Sequence, residues 1–124
     1  MVRLLKTSAA SAVVLLAVLM ISAGCYTERR KSDAELGLDP QQAAGRNIYD
    51  HYCDQCHAPY TTRGKKGPGF KGIFKHPELP ISGLPANDER VGEIIQYGRS
   101  KMPAYGRELD QHQIQELLAY MHTL

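Results

Sequence analysis

The stretch "YCDQCHAPY" (residues 52–60) sets Cys53 and Cys56 two residues apart and places His57 directly after them. Two thiols and an imidazole at that spacing have four chemical uses: a dithiol redox switch, half a zinc site, a short disulfide, or covalent attachment of a haem. A thioredoxin-like switch calls for a strand before the motif and a βαβ pattern around it, and the sequence shows neither. A structural zinc site needs four ligands at paired spacing, and the remaining cysteine, Cys25, lies far upstream. A bare disulfide would close too small a loop to stabilise much, and it leaves His57 without a use. Covalent haem employs all three residues. The thiols add to the macrocycle's vinyl groups as thioethers, and the following histidine is held beneath the iron as its proximal ligand. The spacing therefore points to one haem c carried by Cys53, Cys56 and His57.

An iron so held needs a ligand on its far side or leaves an open position, a choice that separates electron carrier from enzyme. Beyond the N-terminal segment the methionines are Met102 and Met121. Met121 falls on the apolar stripe of the last helical segment and is expected in the core. Met102 stands just before Pro103, which pushes it out of helical geometry into an extended strap. That is a good way to present a thioether, so Met102 is the expected distal ligand. Among the histidines, His51 is too near the attachment motif to reach around, and His112 and His122 are expected to be solvated. His76 is the rival, and bis-histidine ligation would lower the potential relative to His/Met.

These groups must be positioned by a small set of helices. Asp39-Pro40 reads as an N-cap followed by proline at the first helical position. Gly45, Ile48, Tyr49 and Tyr52 then recur at helical spacing up to the cysteines. Residues 57–86 are rich in Gly, Pro and Lys without a sustained period, with room for one short helix near Gly72–Lys75. Asn87 or Asp88 opens a helix with Val91, Ile94 and Ile95 on its apolar face and Gly98 as its stop. Asp110 and Gln113 form a capping box for the last helix, Leu109 and Ile114 can staple its entry, and Ile114, Leu117, Leu118 and Met121 make its buried stripe. No alternating strand pattern and no internal repeat occurs. The expectation is an all-α domain over residues 39–124, with a core thin enough that the cofactor forms part of it.

The N-terminus reads as a separate piece. "MVRLLK" is basic, the run from Ala9 to Gly24 is apolar but short of the ~20 residues that cross a bilayer, and small residues precede Cys25. This is the pattern of a cleaved signal peptide over residues 1–24, with an uncleaved anchor helix as the alternative. "ISAGC" looks like the lipobox of bacterial lipoproteins, which gives the otherwise unpaired Cys25 a use as a lipidation site. Residues 25–38 would then be the lipidated cysteine and a flexible tether. The protein is expected to be exported and lipid-anchored to a bacterial membrane, with its haem domain facing the periplasm.

Of 15 basic and 13 acidic residues, the first 25 residues hold two basic and no acidic ones, so the remainder carries 13 of each. No positive field or aromatic–basic interleaving suggests nucleic acid. The distribution is uneven, however. Arg63, Lys65, Lys66, Lys71 and Lys75 lie in a stretch without acids, and Arg99 and Lys101 flank Met102. This set is expected to dock acidic patches on redox-partner proteins.

From Pro40 onward the chain resembles the small monohaem cytochromes c of the class I fold. The resemblance rests on Gly45 and Tyr49 ahead of Cys53-x-x-Cys56-His57, on Gly67-Pro68-Gly69-Phe70, on "YGRSKMPAYG", and on a last helix carrying Tyr120. It implies that the first and last helices cross at Gly45 with Tyr49 and Tyr120 filling the crossing. It further implies that the Pro68 carbonyl accepts a hydrogen bond from the His57 ring and that Met102 ligates the iron. The expected activity is one-electron transport between respiratory partners. Two alternatives stand beside it: a fixed relay subunit of a larger respiratory complex, and a peroxidase-like or gas-binding protein should Met102 not stay bound.

Overall fold

The computed structural model describes residues 29–124. The expectations for the signal peptide, Cys25 and residues 26–28 lie outside the described residues. Among the described residues there are four α-helices, one 3₁₀ turn and no strand, and no helix is long and apolar enough to cross a membrane. Helix α1 is Asp33–Leu36, α2 Pro40–Tyr52, α3 Asp88–Tyr97 and α4 Gln111–Met121, and the 3₁₀ turn is Ile73–Lys75.

Each long helix starts where its cap requires. Asp39 accepts from the Gln42 amide at 2.8 Å while the Gln42 side chain accepts from the Asp39 amide at 3.0 Å, with Pro40 at the first position. Asp110 and Gln113 repeat the box at the head of α4. Asn87 caps α3 through the Arg90 amide at 2.9 Å, and Gly98 ends that helix at a φ of 73°. Such reciprocal caps satisfy amides that the first turn leaves orphaned.

The core is the crossing of α2 and α4, with α3 packed against α4. Gly45 sits at the contact. A Cβ there would overlap the backbone carbonyl of Glu116 and come within 2.9 Å of the Leu117 nitrogen. The absent side chain is what lets the two backbones approach. Tyr49 and Tyr120, both 0 % exposed, fill the crossing with ring centroids 5.4 Å apart. Leu109, Ile114, Leu117, Leu118 and Met121 join the same buried cluster, as do Val91 and Ile95 of α3.

The long loop region is pinned at intervals rather than loose. The Phe70 amide donates to the Ala58 carbonyl at 2.8 Å, and the Gly72 amide donates to that of Leu124 at 3.1 Å. An isolated antiparallel bridge pairs Glu78 with Pro85. His122 is exposed, as expected, yet it is engaged. Its Nε2 lies 2.6 Å from an Asp88 carboxylate oxygen and its ring stacks on Phe74 at 4.0 Å.

The stretch 33–38, expected to belong to a flexible tether, is also different. Residues 33–36 form α1, closed by a Ser32–Glu35 capping box and by Gly37 at a φ of 63°. Leu36 and Leu38 pack on the core. The capping signal Ser32-x-x-Glu35 is present in the sequence, but the segment is too short to show a helical period.

Candidate haem site

Helix α2 delivers the attachment motif. Its last turn runs into Cys53, whose amide donates to the Tyr49 carbonyl at 2.8 Å, and the Cys56 and His57 amides both return to the Cys53 carbonyl, at 3.0 and 2.9 Å. This tight turn places both thiols and the imidazole on consecutive bends of one segment. The thiols are not bonded to each other. Burial, with the neighbouring Cys56 next in importance, pushes the Cys53 thiol up to about 12. A dithiol switch requires a lowered thiol pKa and access, so the environment of Cys53 argues against that use.

His57 is 8 % exposed. Its Nδ1–H donates to the Pro68 carbonyl at 2.8 Å, which leaves the Nε2 lone pair unengaged. Burial pulls the imidazole below its ordinary pKa. The Pro68 bond opposes that shift and the Lys65 charge adds to it. The ring is therefore a neutral imidazole with fixed orientation and one free nitrogen, the state a metal ligand needs. Two further contacts hold the residue. Phe70 stacks on it at a centroid distance of 4.4 Å, and the Tyr49 hydroxyl donates to the His57 carbonyl at 2.6 Å. Gly67 leaves its ring room, since a Cβ there would come within 2.8 Å of Nδ1. The sequence alone gave no sign of the Tyr49 hydroxyl bond or of the Phe70 stack.

Met102 sits on a strap after α3. The Arg99 amide donates to the Met102 carbonyl at 3.0 Å and the Met102 amide to that of Arg99 at 2.9 Å, closing a two-residue turn. Ser100 in that turn has a φ of 54°, the one positive value for a non-glycine among the described residues. Holding such a residue costs conformational energy, and the surrounding bonds impose it. The Tyr105 and Gly106 amides tie the strap to the carbonyls of Ile95 and Gln96 at 2.9 and 3.0 Å. The Tyr105 hydroxyl then donates to the Tyr52 carbonyl at 3.3 Å, and the two rings meet edge to face at 5.7 Å. The Met102 strap is thus fastened to the residue that precedes Cys53. Met102 itself is half-buried against the core, whereas His76 is exposed.

Arg63, Lys65, Lys66, Lys71, Lys75, Arg99 and Lys101 are all exposed. Lys65 bonds the Asp54 carbonyl at 2.6 Å, between the two cysteines.

Two thiols on one turn, the buried one unsuited to redox switching, and a buried neutral imidazole with one nitrogen free fit a covalently attached haem. With the all-α fold they define a c-type cytochrome domain. Residues 40–121 match the family described as "Cytochrome C oxidase, cbb3-type, subunit III", and the chain belongs to that family. It is a monohaem c-type cytochrome, an electron-transfer protein with haem c as its cofactor. Over 84 residues it is 32 % identical to the cbb3-type cytochrome c oxidase subunit CcoP of Azospirillum sp. (strain B510). That match covers 66 % of this chain but 28 % of the relative, so the chain spans little more than a quarter of the relative's length. No solved structure matches the chain.

Proposed function

We propose that this protein is a membrane-anchored carrier of single electrons between respiratory redox partners. Cys53 and Cys56 would hold the haem as thioethers, with His57 as proximal and Met102 as distal ligand. Haem c supplies a one-electron couple at the iron. The chain's own residues do the rest. Pro68 fixes the His57 ring and Gly67 leaves it room. The turn from Arg99 to Met102 holds the thioether in place, and Tyr105 fastens that turn to the attachment motif. With His57 and Met102 both holding the iron, no position on it would be left for a substrate, and the protein would carry electrons rather than catalyse a reaction. The exposed basic set from Arg63 to Lys75, with Arg99 and Lys101, steers acidic partners. Export through the 1–24 signal peptide and acylation at Cys25 would hold the domain at a bacterial membrane, on its periplasmic side.

The observation that carries this reading is the His57 Nδ1–Pro68 carbonyl bond at 2.8 Å, which leaves a buried, neutral imidazole with one nitrogen free. The test is a visible redox titration of the membrane-extracted protein and of Met102→Ala. The native protein should show the far-red sulfur–iron band and bind neither carbon monoxide nor cyanide readily. Met102→Ala should lose the band, bind both ligands and titrate at a lower potential. A band that survives the substitution refutes the ligand assignment. Ready ligand binding by the native protein would favour a gas-binding or peroxidase-like role.

A second reading is favoured by the match to an oxidase subunit. In it the domain is a fixed relay within a cbb3-type oxidase rather than a free carrier. Co-purification with oxidase subunits from detergent-solubilised membranes supports that reading, and purification alone supports the carrier.

A further inference from the structure

We propose that residues 29–38 are a rigid mount that holds the haem-attachment turn close to the anchoring membrane, so that electrons pass to and from partners embedded in that same membrane. The inference rests on the reading that the chain is anchored at Cys25 or through the apolar run before it.

Three sets of contacts fasten the segment. Within it, Glu35 accepts from the Ser32 amide at 2.7 Å and from the Ser32 hydroxyl at 2.9 Å, and Leu36 and Leu38 pack on the core. The second set is built on Arg46 of α2, whose side chain is 9 % exposed. Its guanidinium bonds the Asp33 carboxylate and the Lys31 carbonyl, with Asp50 3.8 Å from Nε. A buried guanidinium is costly unless it is paired, and two of its three partners belong to the segment. Undocking the segment would strip Arg46 of them. The third set lies at the segment's start. Arg30 pairs with Asp50 and comes within 3.9 Å of Asp54, and its guanidinium lies over the rings of Tyr49 and Tyr60 at 5.4 and 5.9 Å. Lys31 lies over Tyr60 at 5.2 Å. Cations over aromatic faces add attraction beyond the ion pairs.

The segment therefore runs back along α2, from the helix start at Pro40 to its end, and leaves the domain beside Asp54. That residue lies between Cys53 and Cys56 in the attachment motif. Were residues 26–38 free, the chain from Cys25 to Asp39 could extend to about 50 Å; with the mount docked, chain geometry alone limits the distance from Cys25 to Arg29 to about 14 Å. A domain on so short a leash cannot range out to a soluble partner and back. Its attachment turn, with Lys65 sharing Asp54 at 3.4 Å, stays near the plane of the bilayer.

The test uses the full lipidated holoprotein in vesicles carrying a headgroup fluorophore, with the haem as energy acceptor. Three proteins are compared: the native chain, the double variant Asp33→Asn/Arg46→Gln, and a chain with a flexible ten-residue Gly/Ser insertion after residue 28. Pairing the two substitutions avoids leaving a buried charge alone, and an unchanged visible spectrum shows that the haem domain is intact. The native protein should quench the fluorophore strongly and protect the Leu36 and Leu38 amides from hydrogen exchange. The double variant should lose that protection by roughly tenfold or more and quench less, and the insertion should weaken quenching while keeping the protection. Native Leu36 and Leu38 amides that exchange as in an unstructured chain would overturn the mount, as would equal quenching by all three proteins. Failure of the native protein to partition into vesicles would overturn the anchor reading and the mount with it.

Discussion

Replacing Gly45 by alanine tests the crossing on which the site is built. Two effects oppose each other. Alanine is the better helix former by about 1 kcal/mol, so on an open helix face the change would stabilise. At Gly45, however, the added Cβ meets the Glu116 carbonyl group and comes within 2.9 Å of the Leu117 nitrogen. These are backbone atoms of α4, held by that helix's own hydrogen bonds and unable to rotate away as a side chain could. Relief requires the helices to part, which disturbs the packed Tyr49–Tyr120 pair. Overpacking of this kind costs about 1–3 kcal/mol, and rigid obstacles put this case at the upper end. The net destabilisation is about 2 kcal/mol after subtracting the helical gain, or a Tm lowered by roughly 8–16 °C for a domain of this size. Thermal unfolding of the holoprotein followed by far-UV circular dichroism measures it. A Tm that stays level or rises would show that helix propensity wins and that α2 and α4 do not meet at Gly45.

Other substitutions probe the site directly. Gly67→Ala places a Cβ against the His57 ring and should displace it; lowered haem content and a disturbed axial-ligand spectrum are expected, and a native spectrum would refute the close contact. Tyr105→Phe removes a long hydrogen bond but keeps the ring, so unfolding should shift by less than about 1 kcal/mol while cyanide binds faster, as a loosened Met102 strap requires; an unchanged rate would refute the fastening role. The Glu35 carboxyl is held down to about 2, first by the Ser32 amide, then by the Ser32 hydroxyl and Arg29. Because this lowered value belongs to the docked state, the contribution is full above the ordinary 4.5 and is lost as pH falls from there toward about 2. Hydrogen exchange at Leu36 should accelerate across that window in native protein and show no such step in Glu35→Gln. Electron exchange with acidic partners should slow as ionic strength rises, and a flat profile would count against docking through the lysines.

What was legible in the sequence were features with a local cause. The N-cap at Asp39 with Pro40 behind it, the capping box at Asp110, the cap at Asn87 and the stop at Gly98 are each written within four residues, and the structure places helices where they indicate. The attachment motif is equally local. The packing of residues 29–38 against the domain was not legible, because it comes from Arg46, eight or more residues onward, and from aromatic faces that only the fold assembles. The Phe70 stack on His57 and the Tyr105 bond to Tyr52 were hidden for the same reason. They join residues brought together by a loop without periodicity and by a separation of 53 positions.

In the proposed carrier, Cys53 and Cys56 hold the haem as thioethers and His57 and Met102 ligate it. The most direct measurement is mass spectrometry of the exported, purified protein digested to the peptide spanning residues 53–57, combined with a visible spectrum of the intact reduced protein. The peptide should be heavier by one haem, with no alkylatable thiol at either cysteine, and the spectrum should be six-coordinate and low-spin. An unmodified peptide with both thiols reactive, from a colourless protein, would contradict the proposal.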